Sequence, residues 1–170
     1  MRVLTEQHWS YMDRFADGMI ARGPTLAADR AAWTGSLHIV DLPSAEAAHQ
    51  FVEREPYNRA GLFEQHLIRR FDNLLGRTML EFPGGSDDPR FLVIAHAPEA
   101  GMPLRDLHPT LVPRERLIVY GELLTPDDAR PVGVALALQA PSREAVDALL
   151  GNGARRSQAQ ILDWEFGDRR

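Results

Sequence analysis

The chain has 170 residues, 44% of them hydrophobic and 25% charged, with a net charge of −5 and no cysteine. That is enough apolar sequence for one large domain or two small ones with a real core, and it excludes disulfides, thiolate metal sites and a cysteine nucleophile. Mild acidity with scattered arginines argues against binding nucleic acid through phosphates; no apolar run approaches the ~20 residues of a membrane span, and the start, MRVLTEQHWSYM, has no signal-peptide apolar region, so a cytoplasmic location is expected.

Residues 3–17 read as a helix, with Leu4, His8, Met12 and Phe15 at helical spacing, Thr5 as a candidate cap and Gly18 as the stop. Residues 19–22 form a short strand candidate that Gly23-Pro24 breaks, and 27–34 read as a loop. Residues 35–42 alternate as a strand, with Ser36, His38 and Val40 on one face and Leu37 and Ile39 on the other. Ser44 then caps a helix that buries Ala47, Ala48, Phe51 and Val52 and ends near Glu55-Pro56, because the residue before proline disfavours helix. Residues 63–71 read as a strand, and 78–82 as a short strand folding back on it across the turn that holds Asp72, Asn73 and Gly76. The run PGGSDDP within 83–90 has linker composition. Strands at 91–97, 117–124, 133–140 and 159–166, and a helix at 142–150, complete the chain; the prolines at 103 and 109 leave little room for helix in 98–113.

The second half repeats the first. At an offset of 98, residues 23–52 align with 121–150 without a gap, with nine identities: Gly23/Gly121, Leu26/Leu124, Asp29/Asp127, Ala31/Ala129, Gly35/Gly133, Pro43/Pro141, Ser44/Ser142, Glu46/Glu144 and Ala47/Ala145. Roughly two would be expected from ordinary residue usage. The repeated unit reads as β-α-β-β-α-β, ferredoxin-like, whose sheet leaves one face to be covered. The expected fold is therefore α+β: two ferredoxin-like repeats packed sheet to sheet as an intrachain dimeric α+β barrel. Residues 1–82 would form the first repeat, 83–90 a linker and 91–170 a degenerate second repeat. The first lacks its opening strand, which 78–82 is expected to replace.

Residues 5–71 resemble the YCII-related family of small dimeric α+β barrel proteins. The resemblance rests on His8 in the first helix, Gly23-Pro24, Gly35-Ser36, and the Glu55-Pro56-Tyr57 motif followed by Ala60-Gly61. The family's pattern at the last site is Asp-Pro-Tyr, so Glu55 is one methylene longer, and Thr5 stands where the family often has Arg. The resemblance implies that His8 and Glu55 form the acid/base pair, since an imidazole beside a carboxylate can take and return a proton near neutrality. Ser36, His38, Tyr57 and His66 are the expected substrate-binding residues, with Ser36, His38 and His66 lining a cleft between the sheets.

No metal is expected, because the histidines lack H-x-H or H-x-x-x-H spacing, and no other cofactor is expected. Trp9, Trp33 and Trp164 are expected to be packing residues. The offset carries His8 to Asp106, Ser36 to Val134 and His38 to Leu136, so chemistry is expected in the first repeat alone, with His108 a bystander. The resemblance implies a cofactor-independent enzyme moving a proton on a small cyclic or aromatic molecule; the alternatives are a non-catalytic small-ligand or partner-binding protein and a cofactor-free oxygenase. The expected assembly is a monomeric pseudo-dimer or a homodimer, with no nucleic-acid or membrane partner.

Overall fold

The apolar stripe of the first helix decides how the N-terminal third packs. In the computed structural model, which describes residues 2–97, 112–127, 129–156 and 158–167, helix α1 covers Arg2–Asp13 and is followed by a 3₁₀ turn at Ala16–Gly18, so the helix is shorter than its sequence pattern suggests. Tyr11 and Met12 bury their side chains with Met19 and Phe51, next to Val40, Leu42 and Val52. Strands β1 (Met19–Leu26) and β2 (Trp33–Val40) form an antiparallel hairpin, and helix α2 (Ala45–Arg54) returns over the face that α1 covers. Ser44 caps α2 as expected, its Oγ accepting from the Ala47 N–H at 3.1 Å.

Pro24 does not break β1. The strand continues to Leu26, and the Pro24 carbonyl accepts from the Glu165 N–H at 3.2 Å, a pairing in which no donor is asked of the proline. After the one-turn helix α3 (Pro56–Arg59), only Arg70–Asp72 forms a strand, β3; residues 62–69 have no strand pairing. The strand expected over 63–71 is thus mostly absent, because an extended segment becomes a strand only where an edge is available to pair with. The strand expected at 78–82 is a 3₁₀ turn, Met79–Glu81, closed by a capping box between Thr78 and Glu81. It packs on β1, with Met79 Sδ 3.2 Å from the Arg22 N–H, and does not fold back on 67–68.

Strands β4 (Arg90–His96), β5 (Leu117–Leu124), β6 (Pro131–Gln139) and β7 (Gln158–Trp164), with helix α4 (Arg143–Arg156), complete the described elements. The expectation of two sheets packed face to face needs correction. All seven strands belong to one antiparallel sheet in the order β2-β1-β7-β4-β6-β5-β3, curled into a half-barrel. Two pairings join the halves and are reciprocal. β1 meets β7 at Thr25–Trp164 and Leu26–Asp163, and β5 meets β3 at Leu124–Arg70, Leu123–Phe71 and Glu122–Asp72.

Both crossings need a glycine. A Cβ on Gly23 would lie 1.8 Å from the Glu165 carbonyl oxygen, and one on Gly121 would lie 2.1 Å from that of Asp72. Backbone occupies the space a side chain would take, which accounts for two glycines 98 residues apart.

The successive residues of β4 feed opposite faces of the sheet. Phe91, Val93 and Ala95 pack with Leu136, Leu138 and the α4 residues Val146 and Leu150. Leu92 packs on the other face with Ala21, Ile39, Ile118, Ala137 and Trp164. Full burial of side chains of this size contributes about 1.5–3 kcal/mol each, so these two clusters dominate the fold's stability.

Candidate active site

Helix α3 is short because it begins at a proline and ends three residues later, yet its start organises the site. Pro56 occupies the first helical position, where no N–H is needed. Glu55 therefore closes α2 and caps α3 at once: its Oε2 accepts from the Asn58 N–H at 2.7 Å, while Asn58 Nδ2 donates to the Val52 carbonyl at 2.9 Å. The second carboxylate oxygen, Oε1, lies 2.7 Å from His8 Nδ1. The longer Glu reaches both partners, one with each oxygen, and is 4% exposed.

The environment sets the charge of this pair. Burial alone would raise the Glu55 pKa, but the hydrogen bond from His8, the backbone N–H groups of Tyr57 and Asn58 and the nearby His8 charge outweigh it and hold the carboxyl below its ordinary value. An ionised carboxylate can only accept, so Nδ1 of His8 carries the proton and Nε2 is the remaining nitrogen of the ring. The His8 ring is enclosed by aromatics. Tyr57 stacks on it at 4.3 Å between centroids with 12° between planes, and Trp9 meets its edge at 5.3 Å. Arg22 lies over the Trp9 ring at 5.0 Å.

His38 stands beside the pair, its ring centroid 6.0 Å from that of His8 and 5.7 Å from Phe51. Its pKa is lowered to about 4, first by burial, then by the His8 charge, with Glu55 opposing and Arg22 adding to the shift. It is a neutral imidazole at neutral pH. His38, Glu55, Asn58 and Phe51 line one side of a cavity of about 1120 Å³ whose walls also include β2, residues 62–71 and the sheet residues Leu92, Ile94 and Leu162.

Of the residues singled out in the sequence, His8, His38, Glu55 and Tyr57 come together. Ser36 is exposed, lines the cavity, and its hydroxyl lies 3.5 Å from the Gly23 carbonyl. His66 is exposed, lies edge-on to Phe63 at 6.0 Å, and borders the same cavity from the 62–71 segment. Trp164 is buried as expected, whereas Trp33 is 69% exposed. Asp106 and His108 lie outside the described residues. Asn58 was missed: Pro56 marks a helix start, but an Asn at the third helical position carries no capping signal of its own. Arg22 left no sequence signal of its own. Among the described residues no three His, Asp or Glu side chains converge as a metal-binding group, and no helix is long and apolar enough to cross a membrane.

Residues 2–72, from the start of α1 to the end of β3, match the YCII-related domain. The chain thus carries a YCII-related domain over that stretch, and it contains His8, His38, Glu55 and Tyr57. No curated protein and no solved structure matches the chain.

Proposed function

We propose that this protein moves a proton on a small organic molecule without a cofactor, using His8 as the base and Glu55 as its orienting carboxylate. The observation that carries this reading is the buried 2.7 Å contact between His8 Nδ1 and Glu55 Oε1. Glu55 holds the Nδ1–H tautomer and stabilises the imidazolium, leaving Nε2 to take the proton and return it at another position of the substrate. His38, neutral at the cavity wall, orients the substrate, while Tyr57 keeps the His8 ring in plane. Ser36 and His66 contribute polar edges farther along the cavity that His38 and Glu55 line. The product is an isomer, or an alkene when a leaving group departs with its electron pair from the carbon next to the one deprotonated.

The reciprocal pairings and the 98-residue spacing of the elements support a finer architecture: an intrachain pseudo-dimer of the dimeric α+β barrel type, with repeats 1–82 and 91–170, linker 83–90, and chemistry in the first. Leu136 and Val134 stand where the first repeat has His38 and Ser36, which supports an apolar second half serving as cover.

Deuterium uptake at carbon positions in a panel of cyclic ketones, lactones and chlorinated phenols, followed by NMR, tests the chemistry. His8→Ala and Glu55→Gln should each slow the catalysed exchange by about 10²–10⁴-fold. Exchange that no panel member shows above buffer, or that both variants retain in full, would instead favour a non-catalytic ligand-binding protein. The enclosure of the His8 ring by Tyr57, Trp9 and His38 is the observation on that side.

A further inference from the structure

We propose that the long cavity beside β2 is an acceptor slot for an extended, apolar peptide strand of about seven residues, which pairs antiparallel with β2 and closes the sheet between β2 and β3. These two strands are the two ends of the sheet, yet residues of both line the one cavity.

The occupant's chemistry is read from the other half of the molecule. Elements recur at a constant spacing: β1 and β5 start at 19 and 117, β2 and β6 at 33 and 131, α2 and α4 at 45 and 143. Between β7 and β6 lies β4, an apolar strand making seven antiparallel pairs with β6. Among the described residues, no strand lies in the corresponding place beside β2. Three observations mark it as shaped for one. Under β4, the α4 residues Val146 and Leu150 are 0% and 5% exposed, whereas their counterparts on α2, Ala48 and Val52, are only partly buried and face the cavity. Gly133 of β6 is a glycine because the Ala95 carbonyl of β4 would lie 2.3 Å from a Cβ; its counterpart Gly35 meets only the Thr25 hydroxyl, at 3.0 Å, and no backbone. Leu62 and Leu67, on the 62–71 segment that forms the far wall, are 55% and 50% exposed.

The slot also continues an established interface. β3 is already paired with β5 of the other half, so a strand beside β2 would complete the ring that the β1–β7 and β5–β3 pairings begin. Its volume exceeds the ~300–1,000 Å³ of ordinary small-ligand pockets, which suits a strand better than a lone small molecule. Main-chain hydrogen bonds to β2 would give affinity, and apolar side chains on both faces would meet Ala48 and Val52 on one side and Leu92 and Ile94 on the other. A strand there narrows the cavity to the part against His38, Glu55 and Asn58. The slot stands independently of proton transfer at His8.

The test uses the full chain and a synthetic peptide with the sequence of residues 90–96, RFLVIAH, carrying two added lysines at each end, beside a control with proline in place of its central valine. Hydrogen exchange is followed amide by amide. The expected result is saturable binding, with roughly tenfold slower exchange over residues 33–40 and 62–69 for the first peptide and none for the control. No protection, equal protection by the control, or protection confined to other elements would overturn the proposal. So would protection of 33–40 that grows with protein concentration without peptide, since the occupant would then be a second copy of the chain.

Discussion

At the scale of single residues, the site depends on one side chain doing two jobs. Glu55 caps α3 with one oxygen and holds His8 with the other, so Glu55→Ala should cost about 1–2 kcal/mol from the cap, before any loss at His8. His38 gives a pH signature. Its unfolded value is 6.5 and its folded value about 4. Between them the unfolded chain binds a proton that the folded chain refuses, so its contribution to stability is complete above 6.5, falls as pH drops to 4, and then levels off. Glu55, whose folded pKa is depressed, adds stability present above its ordinary value of 4.5 that is lost as pH falls through the folded value. Replacing His38 with leucine, the residue at the matching place in β6, should flatten the stability profile between pH 6.5 and 4. A gain of about 2 kcal/mol at pH 5 relative to pH 7, measured in urea titrations, is the expected size; an unchanged slope would show that His38 is solvated enough to titrate normally.

At the scale of elements, the two halves cross where a glycine lets backbone approach backbone. Gly23→Ala and Gly121→Ala each place a methyl group inside a carbonyl oxygen's radius, and should cost on the order of 3 kcal/mol. Local relief would separate β1 from β7 in the first case and β5 from β3 in the second. Amides of those strands should exchange faster, and those of β4 and β6 should not. Gly35→Ala is the informative control: only a hydroxyl lies near its Cβ, so it should be far milder than Gly121→Ala. A Gly121→Ala variant as stable as the parent would mean the β3–β5 crossing is not formed in solution.

At the scale of the whole molecule, Asp163 ties the halves together. On β7 it accepts from Arg30 of the β1–β2 loop at 2.9 Å and from Arg143 of α4, while Arg30 also holds Glu165 at 3.0 Å. Asp163→Ala should cost about 1–2 kcal/mol, less than a fully buried pair, because both guanidinium groups can return to water. Since β1 has β7 as its inner neighbour and β3 pairs, among the described residues, with β5 alone, residues 1–82 by themselves would leave two strand edges unpaired and Ala21, Ile39 and Met79 without the Leu92, Ile118 and Trp164 they pack with. The full chain should therefore unfold in one cooperative transition in calorimetry, and the 1–82 fragment should show none. Two separate transitions would mean that the halves fold independently.

Local rules carried far in this chain. Caps, turns and alternation placed β2, helix α2 with Ser44 at its start, and β4 to β7 within a few residues, because those signals are satisfied by near neighbours, while β1 ran on to Leu26 through the break expected at Gly23-Pro24. The meeting of His8 with Glu55 was legible only through the resemblance, since 47 residues separate them and nothing local brings them together. The fate of residues 62–71 and 78–82 was decided by tertiary structure alone. Both can be extended by composition, but a strand is a relation between two edges. Among the described residues no edge for 63–71 lies beside β2, and Arg70–Asp72 finds its partner across the molecule on β5. The same reason turned two expected sheets into one: Gly23 and Gly121 could be read as repeated glycines, but only the crossing strands reveal what presses against them.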